Sequence, residues 1–293
     1  MPRLLWALTS SPPTHSEIIL YVQGSRKAAL SPRGYYALLI ILVFLLGLAV
    51  GSFLNVCIYR LPAGESVVSP RSHCRACGAI LGSPDLVPVV SYLLLRGRCR
   101  WCGAPFSARY ALVELATGAL FAWCLFAVGP QPALLRALVL ASFLVVVAVI
   151  DYDHQLILDK VVAWLAGAGA VISLALVPSL AAVPSLLLDM LLGGLLGGGV
   201  MLAIAVVTRG GMGGGDIKFF AALGLWFGWQ LTLLALFLSF VIGGVGGAVL
   251  LLFRLRGRKD FIPFGPFIAA GAFVTLLYGP SLVDWYVRHM LAR

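Results

Sequence analysis

The sequence predicts an all-α polytopic membrane protein with about eight transmembrane helices and a small cytosolic domain inserted after the first helix. Two properties of the whole chain support this fold class: 61% of the 293 residues are hydrophobic, and only 11% are charged. Soluble globular domains carry about 25% charged residues. A long polar stretch with two C-x2-C pairs interrupts the apolar runs and predicts the extramembrane domain.

Apolar runs of sufficient length define the predicted spans, because a bilayer core of about 30 Å needs about 20 apolar residues per helix. The charge-free stretch 35–59 is the first span, after an N-terminal extension at 1–34. The polar insert occupies 60–110, a polytopic domain 111–285, and a short tail 286–293. Within the polytopic domain, apolar runs lie near 111–129, 133–150, 161–177, 186–207, 217–229, 231–253 and 264–282. The run 217–229 is short, so a broken or re-entrant helix with seven spans is the alternative.

The distribution of charge predicts which side each loop faces. Most of the 21 Lys and Arg residues fall in alternate loops, whereas the short connections near 129–132, 178–185 and 228–230 carry none. Cytosolic loops of membrane proteins accumulate Lys and Arg. The insert is therefore predicted to be cytosolic, with both termini outside. A net charge of +10 follows from this topology, and no soluble basic face indicates a nucleic-acid partner.

Four cysteines in the insert have the spacing of a metal site. Cys74 and Cys77 form one C-x2-C pair, and Cys99 and Cys102 form a second after 21 intervening residues. Two such knuckles bring four thiolates together tetrahedrally, as a structural Zn²⁺ requires. A redox dithiol and an iron–sulfur cluster remain alternatives, because four cysteines serve both. The metal would stabilise about fifty residues that have little core of their own.

Two aspartates at the same membrane face are the main candidate for chemistry. Asp151 directly follows the third span, and Asp216 directly precedes the sixth. A paired acid and base of this kind can hydrolyse a peptide without a nucleophile or metal. An ion or proton relay and a simple capping role remain alternatives. Gly213 and Gly215 leave the backbone open to an extended substrate, and Lys218 is a nearby cation or a head-group contact.

Several segments resemble the prepilin leader peptidases of type IV pilus and type II secretion systems. The resemblance runs from about Gly47 to Ala272. Its motifs are Gly51–Pro62, Gly64–Cys74, Ser91–Cys99, Val113–Gly118, Gly213–Asp216, Ala221–Gly224 and Pro263–Pro266.

The resemblance implies a multi-pass enzyme of the bacterial inner membrane with its active site facing the cytosol. It implies that Asp151 and Asp216 are the catalytic pair of a GxGD-type aspartic protease, which cuts prepilin or pseudopilin leaders after a glycine. It also implies methylation of the new N-terminus with S-adenosylmethionine, with zinc on Cys74, Cys77, Cys99 and Cys102. Other pilus or secretion assembly proteins are further expected partners.

Asn55, Arg60 and Glu65, at the cytosolic end of the first span, are our candidates for the methyl-donor site, and helix anchoring is their alternative role. A proton- or cation-coupled transporter using the two aspartates is the competing function. A non-enzymatic scaffold is a third.

Overall fold

The computed structural model describes residues 32–253 and 262–291. Most of the predicted extension 1–34, the basic stretch 254–261 and the last two residues lie outside this part of the chain. The chain divides into two units, 1–42 and 43–293. The described part of the first unit is the beginning of one helix. The second unit holds all the sites discussed below.

The described residues are helical, with short turns and two isolated β-bridges in the insert. The α-helices are α1 (Pro32–Arg60), α2 (Val90–Leu94), α3 (Arg109–Val128), α4 (Ala133–His154), α5 (Asp159–Ala175), α6 (Val183–Val207), α7 (Gly214–Leu252) and α8 (Gly265–Tyr286). Two 3₁₀ turns (Ser83–Leu86 and Leu180–Ala182) and a π-helix (Val287–Leu291) complete the described elements. The all-α prediction is confirmed.

Small residues bring α1 and α3 into close antiparallel contact. A Cβ built on Gly51 would lie 2.8 Å from the Cα of Glu114, and one on Gly47 would lie 2.7 Å from the Cα of Gly118. At the insert end of the pair, the side-chain amide of Asn55 donates to the carbonyl of Tyr110 at 3.0 Å. The insert is therefore held between two helix ends on one face, here called the insert side.

The long helix α7 reverses direction at Gly228. A Cβ built on Gly197 of α6 would lie 3.1 Å from both the carbonyl carbon of Phe220 and Cγ2 of Thr232. A straight helix would separate residues 220 and 232 by about 18 Å. Gly228 has φ 70° and ψ 178°, outside helical values. The two halves of α7 therefore fold back on each other and correspond to the predicted runs 217–229 and 231–253.

In the part of the chain that the structure describes, six helical stretches are long and apolar enough to cross a bilayer, against the eight that the sequence predicts. The difference has two causes. The 39-residue α7 contains two predicted runs, and the 17-residue α5, which matches the predicted run 161–177, is slightly too short. All eight predicted apolar runs are thus helical, in a multi-pass membrane protein. The glycines of α6 allow close helix packing, because Gly193 lies against Gly224 and Gly228.

Candidate functional site: two membrane-face aspartates beside a four-cysteine insert

Asp151 and Asp216 come together on the insert side although 64 positions separate them in the chain. Asp151 lies in the last turn of α4, and Asp216 in the first turn of α7. Their carboxylates are near enough to interact electrostatically. Each is oriented by a backbone N–H: Gly265 donates to Oδ2 of Asp151 at 2.7 Å, and Gly213 donates to Oδ2 of Asp216 at 3.2 Å. Within the described residues, no donor reaches Oδ1 of either carboxylate.

Two glycines make this close approach sterically feasible. A Cβ on Gly265, the first residue of α8, would lie 2.6 Å from Oδ2 of Asp151. A Cβ on Gly215 would lie 2.8 Å from the Cβ of Ile157, in the loop that follows Asp151. The C-terminal end of α4 and the N-terminal ends of α7 and α8 therefore pack together at this site. Gly265 lies within the predicted motif Pro263–Pro266, but sequence reasoning gave it no role.

Ion pairs tie the surrounding loops to the aspartate site. Lys218 donates to both carboxylate oxygens of Asp159 at 2.8 Å, and both side chains are exposed. Lys218 thus bridges the start of α7 to the start of α5 and does not hydrogen-bond Asp216. Arg109 forms an ion pair with Asp153, which joins the start of α3 to the end of α4.

The four predicted cysteines form one cluster in the insert. Their Sγ atoms all lie within 4.8 Å of one another, and those of Cys74 and Cys102 are 3.8 Å apart. Tetrahedral Zn–S bonds of about 2.3 Å place sulfur atoms about 3.8 Å apart. The donor set and its spacing therefore fit Zn²⁺. Cys57 and Cys124 are buried in helices, away from this cluster.

The two knuckles of the cluster have the same backbone hydrogen bonds. Gly78 donates to the carbonyl of Cys74 at 2.8 Å, and Gly103 donates to that of Cys99 at 2.9 Å. Both glycines have positive φ, 73° and 71°, which glycine adopts without strain. Hydrogen bonds from the backbone N–H groups of Cys77 and Ala76 lower the pKa of Cys74 to about 7, which favours the thiolate that a metal binds.

The three candidate donor-site residues lie where α1 meets the insert. Asn55 is buried and bound to Tyr110, and the buried Arg60 donates to the carbonyl of Ser66 at 2.9 Å. Both contacts match the alternative role of helix anchoring. Glu65 is exposed at the turn after α1. Its carboxylate has no recorded partner among the described residues.

Comparisons with known proteins decide the family. A model of the bacterial peptidase A24 N-terminal domain matches residues 45–128, and a model of the type IV leader peptidase family matches residues 138–248. The chain is 36% identical over 255 residues to the prepilin leader peptidase/N-methyltransferase of Bacillus subtilis (strain 168), which covers 85% of this chain and 98% of that protein. The chain belongs to this family of leader peptidases.

Two further relatives support the same family assignment. The protein of the same name from Aeromonas hydrophila is 35% identical over 275 residues, covering 85% of this chain and 94% of that protein. The one from Burkholderia pseudomallei (strain 1026b) is 37% identical over 264 residues, covering 80% and 84%. No solved structure matches the chain. The predicted enzyme class, a leader peptidase with N-methyltransferase activity, is confirmed, and nothing in these matches supports the transporter.

Proposed function

We propose that this protein cleaves the leaders of type IV prepilins or type II secretion pseudopilins after a glycine, at the cytosolic face of the bacterial inner membrane, and then methylates the new N-terminus. The names of its relatives support the substrate class and the two activities. The observation that carries the catalytic assignment is the contact between Gly215, the residue before Asp216, and Ile157, in the loop after Asp151, which brings the two acids to one membrane face. The concentration of Lys and Arg on the insert side supports a cytosolic site.

In the proposed mechanism the two carboxylates share one proton, because two neighbouring carboxylates do not both ionise cheaply. The ionised carboxylate takes a proton from a water molecule, which attacks the scissile carbonyl, while the protonated one donates to the carbonyl oxygen. In each carboxylate, Oδ2 accepts a hydrogen bond from a backbone N–H, so we assign the proton transfers to Oδ1. The Gly-rich stretch before Asp216 lets an extended substrate backbone approach closely.

In the methylation step, S-adenosylmethionine would supply the methyl group to the newly exposed amine. Asn55, Arg60 and Glu65 remain our candidates for the donor site, although the contacts of the first two favour a structural role. Cys74, Cys77, Cys99 and Cys102 would hold Zn²⁺ and shape the insert on which this step depends. Other pilus or secretion assembly proteins remain expected partners.

Intact mass spectrometry of the products tests this function. The purified protein is incubated with candidate prepilins and pseudopilins, with and without S-adenosylmethionine. We expect loss of the leader in both reactions and one added methyl only when the donor is present. Failure to cleave any candidate would contradict the proposal. Cleavage without methylation would overturn the second activity alone.

A further inference from the structure

A short apolar segment of the insert has no covering partner among the described residues. It comprises Val87 to Leu94 and includes the five-residue helix α2, in which no residue is buried. Leu93 and Leu94 are 67% and 78% exposed, and Val87 and Val90 are also exposed. We call residues 87–94 the apolar segment. Exposed aliphatic side chains clustered in this way favour a surface that another apolar phase covers.

A hydrogen bond sets the depth of this segment relative to the membrane. The backbone N–H of Val89 donates to the buried carboxylate of Glu114 at 2.8 Å. Glu114 lies five residues into α3, or about 7.5 Å along the helix axis from Arg109. The head-group region of a bilayer is about 5–7 Å thick on each side. Taking Arg109, the first charged residue of α3, as the outer edge of the head groups, this bond holds Val89 near the boundary between head groups and hydrocarbon.

The backbone of Val89 indicates that this position is enforced. Its φ of 62° is an outlier for a β-branched residue and is maintained by its surroundings. Glu114 is itself fixed in the α1–α3 contact, against Gly51. Its sequence neighbours Leu112 and Leu115 are exposed on the outer surface of a membrane helix, where lipid covers them. The hydrogen bond to Glu114 thus holds the apolar segment beside the start of a membrane helix.

Basic residues follow the apolar segment directly. Arg96 and Arg98 are exposed, and no partner is recorded for either guanidinium among the residues that the structure describes. Arg100, in contrast, is paired with Asp85 at 2.7 Å. Aliphatic side chains with neighbouring arginines are the composition of an interfacial membrane anchor. Anionic lipid head groups complement this charge.

We propose that the apolar segment inserts into the bilayer on the insert side, with Arg96 and Arg98 bound to anionic phospholipid head groups. The zinc insert then lies against the membrane next to the aspartate site. A second protein is a poorer occupant, because a stable interface uses about 20–30 residues a side. This inference rests on the span topology and is independent of the proposed catalytic roles.

Photo-crosslinking in proteoliposomes tests the anchor. A p-benzoylphenylalanine replaces Leu94 in the full-length protein, in vesicles of equal parts phosphatidylethanolamine and phosphatidylglycerol. Phe126, an exposed residue of α3, is the lipid-facing reference, and Ile80, exposed in the first knuckle, is the matched control within the insert. Each labelled protein is checked for zinc content and elution volume.

We expect a yield of lipid-mass adducts at position 94 within about twofold of that at position 126 and at least about fivefold above that at position 80. Adduct yields at 94 no higher than at 80 would overturn the proposal. Adducts of the mass of a second copy would overturn it in favour of self-association.

The arginine contribution is tested with the double variant Arg96→Gln/Arg98→Gln. Phosphatidylglycerol should be over-represented among the adducts at position 94 in the unaltered chain and fall to its share of the vesicle in this variant. Arg71→Gln, an exposed arginine elsewhere in the insert, should leave the ratio unchanged. An unbiased ratio in the unaltered chain would contradict the head-group contacts.

Discussion

Gly265 orients Asp151 from an element 114 residues further along the chain. Its N–H is the donor to Oδ2 of Asp151, and its missing side chain leaves room for the carboxylate. The sequence predicted Asp151 and Asp216, because an acid directly beside an apolar run is conspicuous. It gave no function to Gly265, because nothing in the sequence indicates which of the 33 glycines contacts Asp151.

A methyl group at this position should displace the carboxylate. We expect Gly265→Ala to lower kcat/KM for leader cleavage by about 10²-fold, because a shift of about 1 Å in a catalytic group costs that much. Intact mass time courses measure the rate. Gly199→Ala is the control, since a Cβ there meets nothing within 4 Å. Equal rates for the two variants would show that the close approach is unimportant.

Lys218 and Asp159 should act as one unit that positions the starts of α5 and α7. Exposed ion pairs contribute about 0.2–1 kcal/mol to holding a conformation. Because this pair holds two helix starts at the aspartate site, we expect Lys218→Gln and Asp159→Asn each to lower cleavage by up to about fivefold. The double variant should be no worse than either single one. Cleavage kinetics of the unaltered protein, the two single variants and the double variant form a double-mutant cycle. Additive effects would instead indicate that Lys218 acts on Asp216 or the substrate separately.

At the scale of elements, the reversal within α7 depends on Asp189 of α6. The N–H of Trp229, the first residue after the break, donates to Oδ1 of Asp189 at 3.1 Å. Asp189 thus caps the second half of α7, an N-cap role supplied by a neighbouring helix. The sequence showed two apolar runs here but not how they join, because Gly228 resembles the many packing glycines around it.

Loss of this cap should destabilise the helical domain without touching the aspartate site. We expect Asp189→Ala to cost about 1 kcal/mol and to lower the apparent Tm in detergent. Asp189→Asn keeps an oxygen acceptor and should stay close to the unaltered protein. Thermal unfolding followed by circular dichroism compares them. A drop of equal size in both variants would refute the capping role.

At the scale of the whole molecule, the insert and the helical domain are expected to serve separate steps. The spacing of four cysteines predicted their cluster from sequence, because two C-x2-C pairs leave few other arrangements. The path of the insert between the knuckles had no such signal: Glu114 lies in a family motif, but nothing in the sequence pairs it with Val89. The S-adenosylmethionine site has the least structural support, because the side chains of Asn55 and Arg60 already donate hydrogen bonds to backbone carbonyls of Tyr110 and Ser66.

Removing one metal ligand should separate the two activities. We expect Cys99→Ser to lose zinc and to reduce methylation by at least about tenfold, with a smaller effect on cleavage, because the aspartates are positioned by α4, α7 and α8. Metal analysis and intact mass of the products provide the readouts. Cys57→Ser, a buried helix cysteine outside the cluster, should keep its metal. Unchanged zinc in the first variant would contradict the site.

The proposed mechanism depends on Asp151 and Asp216 acting as an acid and a base, and leader cleavage by their isosteric variants measures this dependence. Asp151→Asn, Asp216→Asn and the exposed control Asp284→Asn are purified and checked for equal thermal stability. We expect each of the first two to lower the cleavage rate by at least about 10²-fold, while the third cleaves normally. Substantial cleavage by either Asp151→Asn or Asp216→Asn would contradict the dyad.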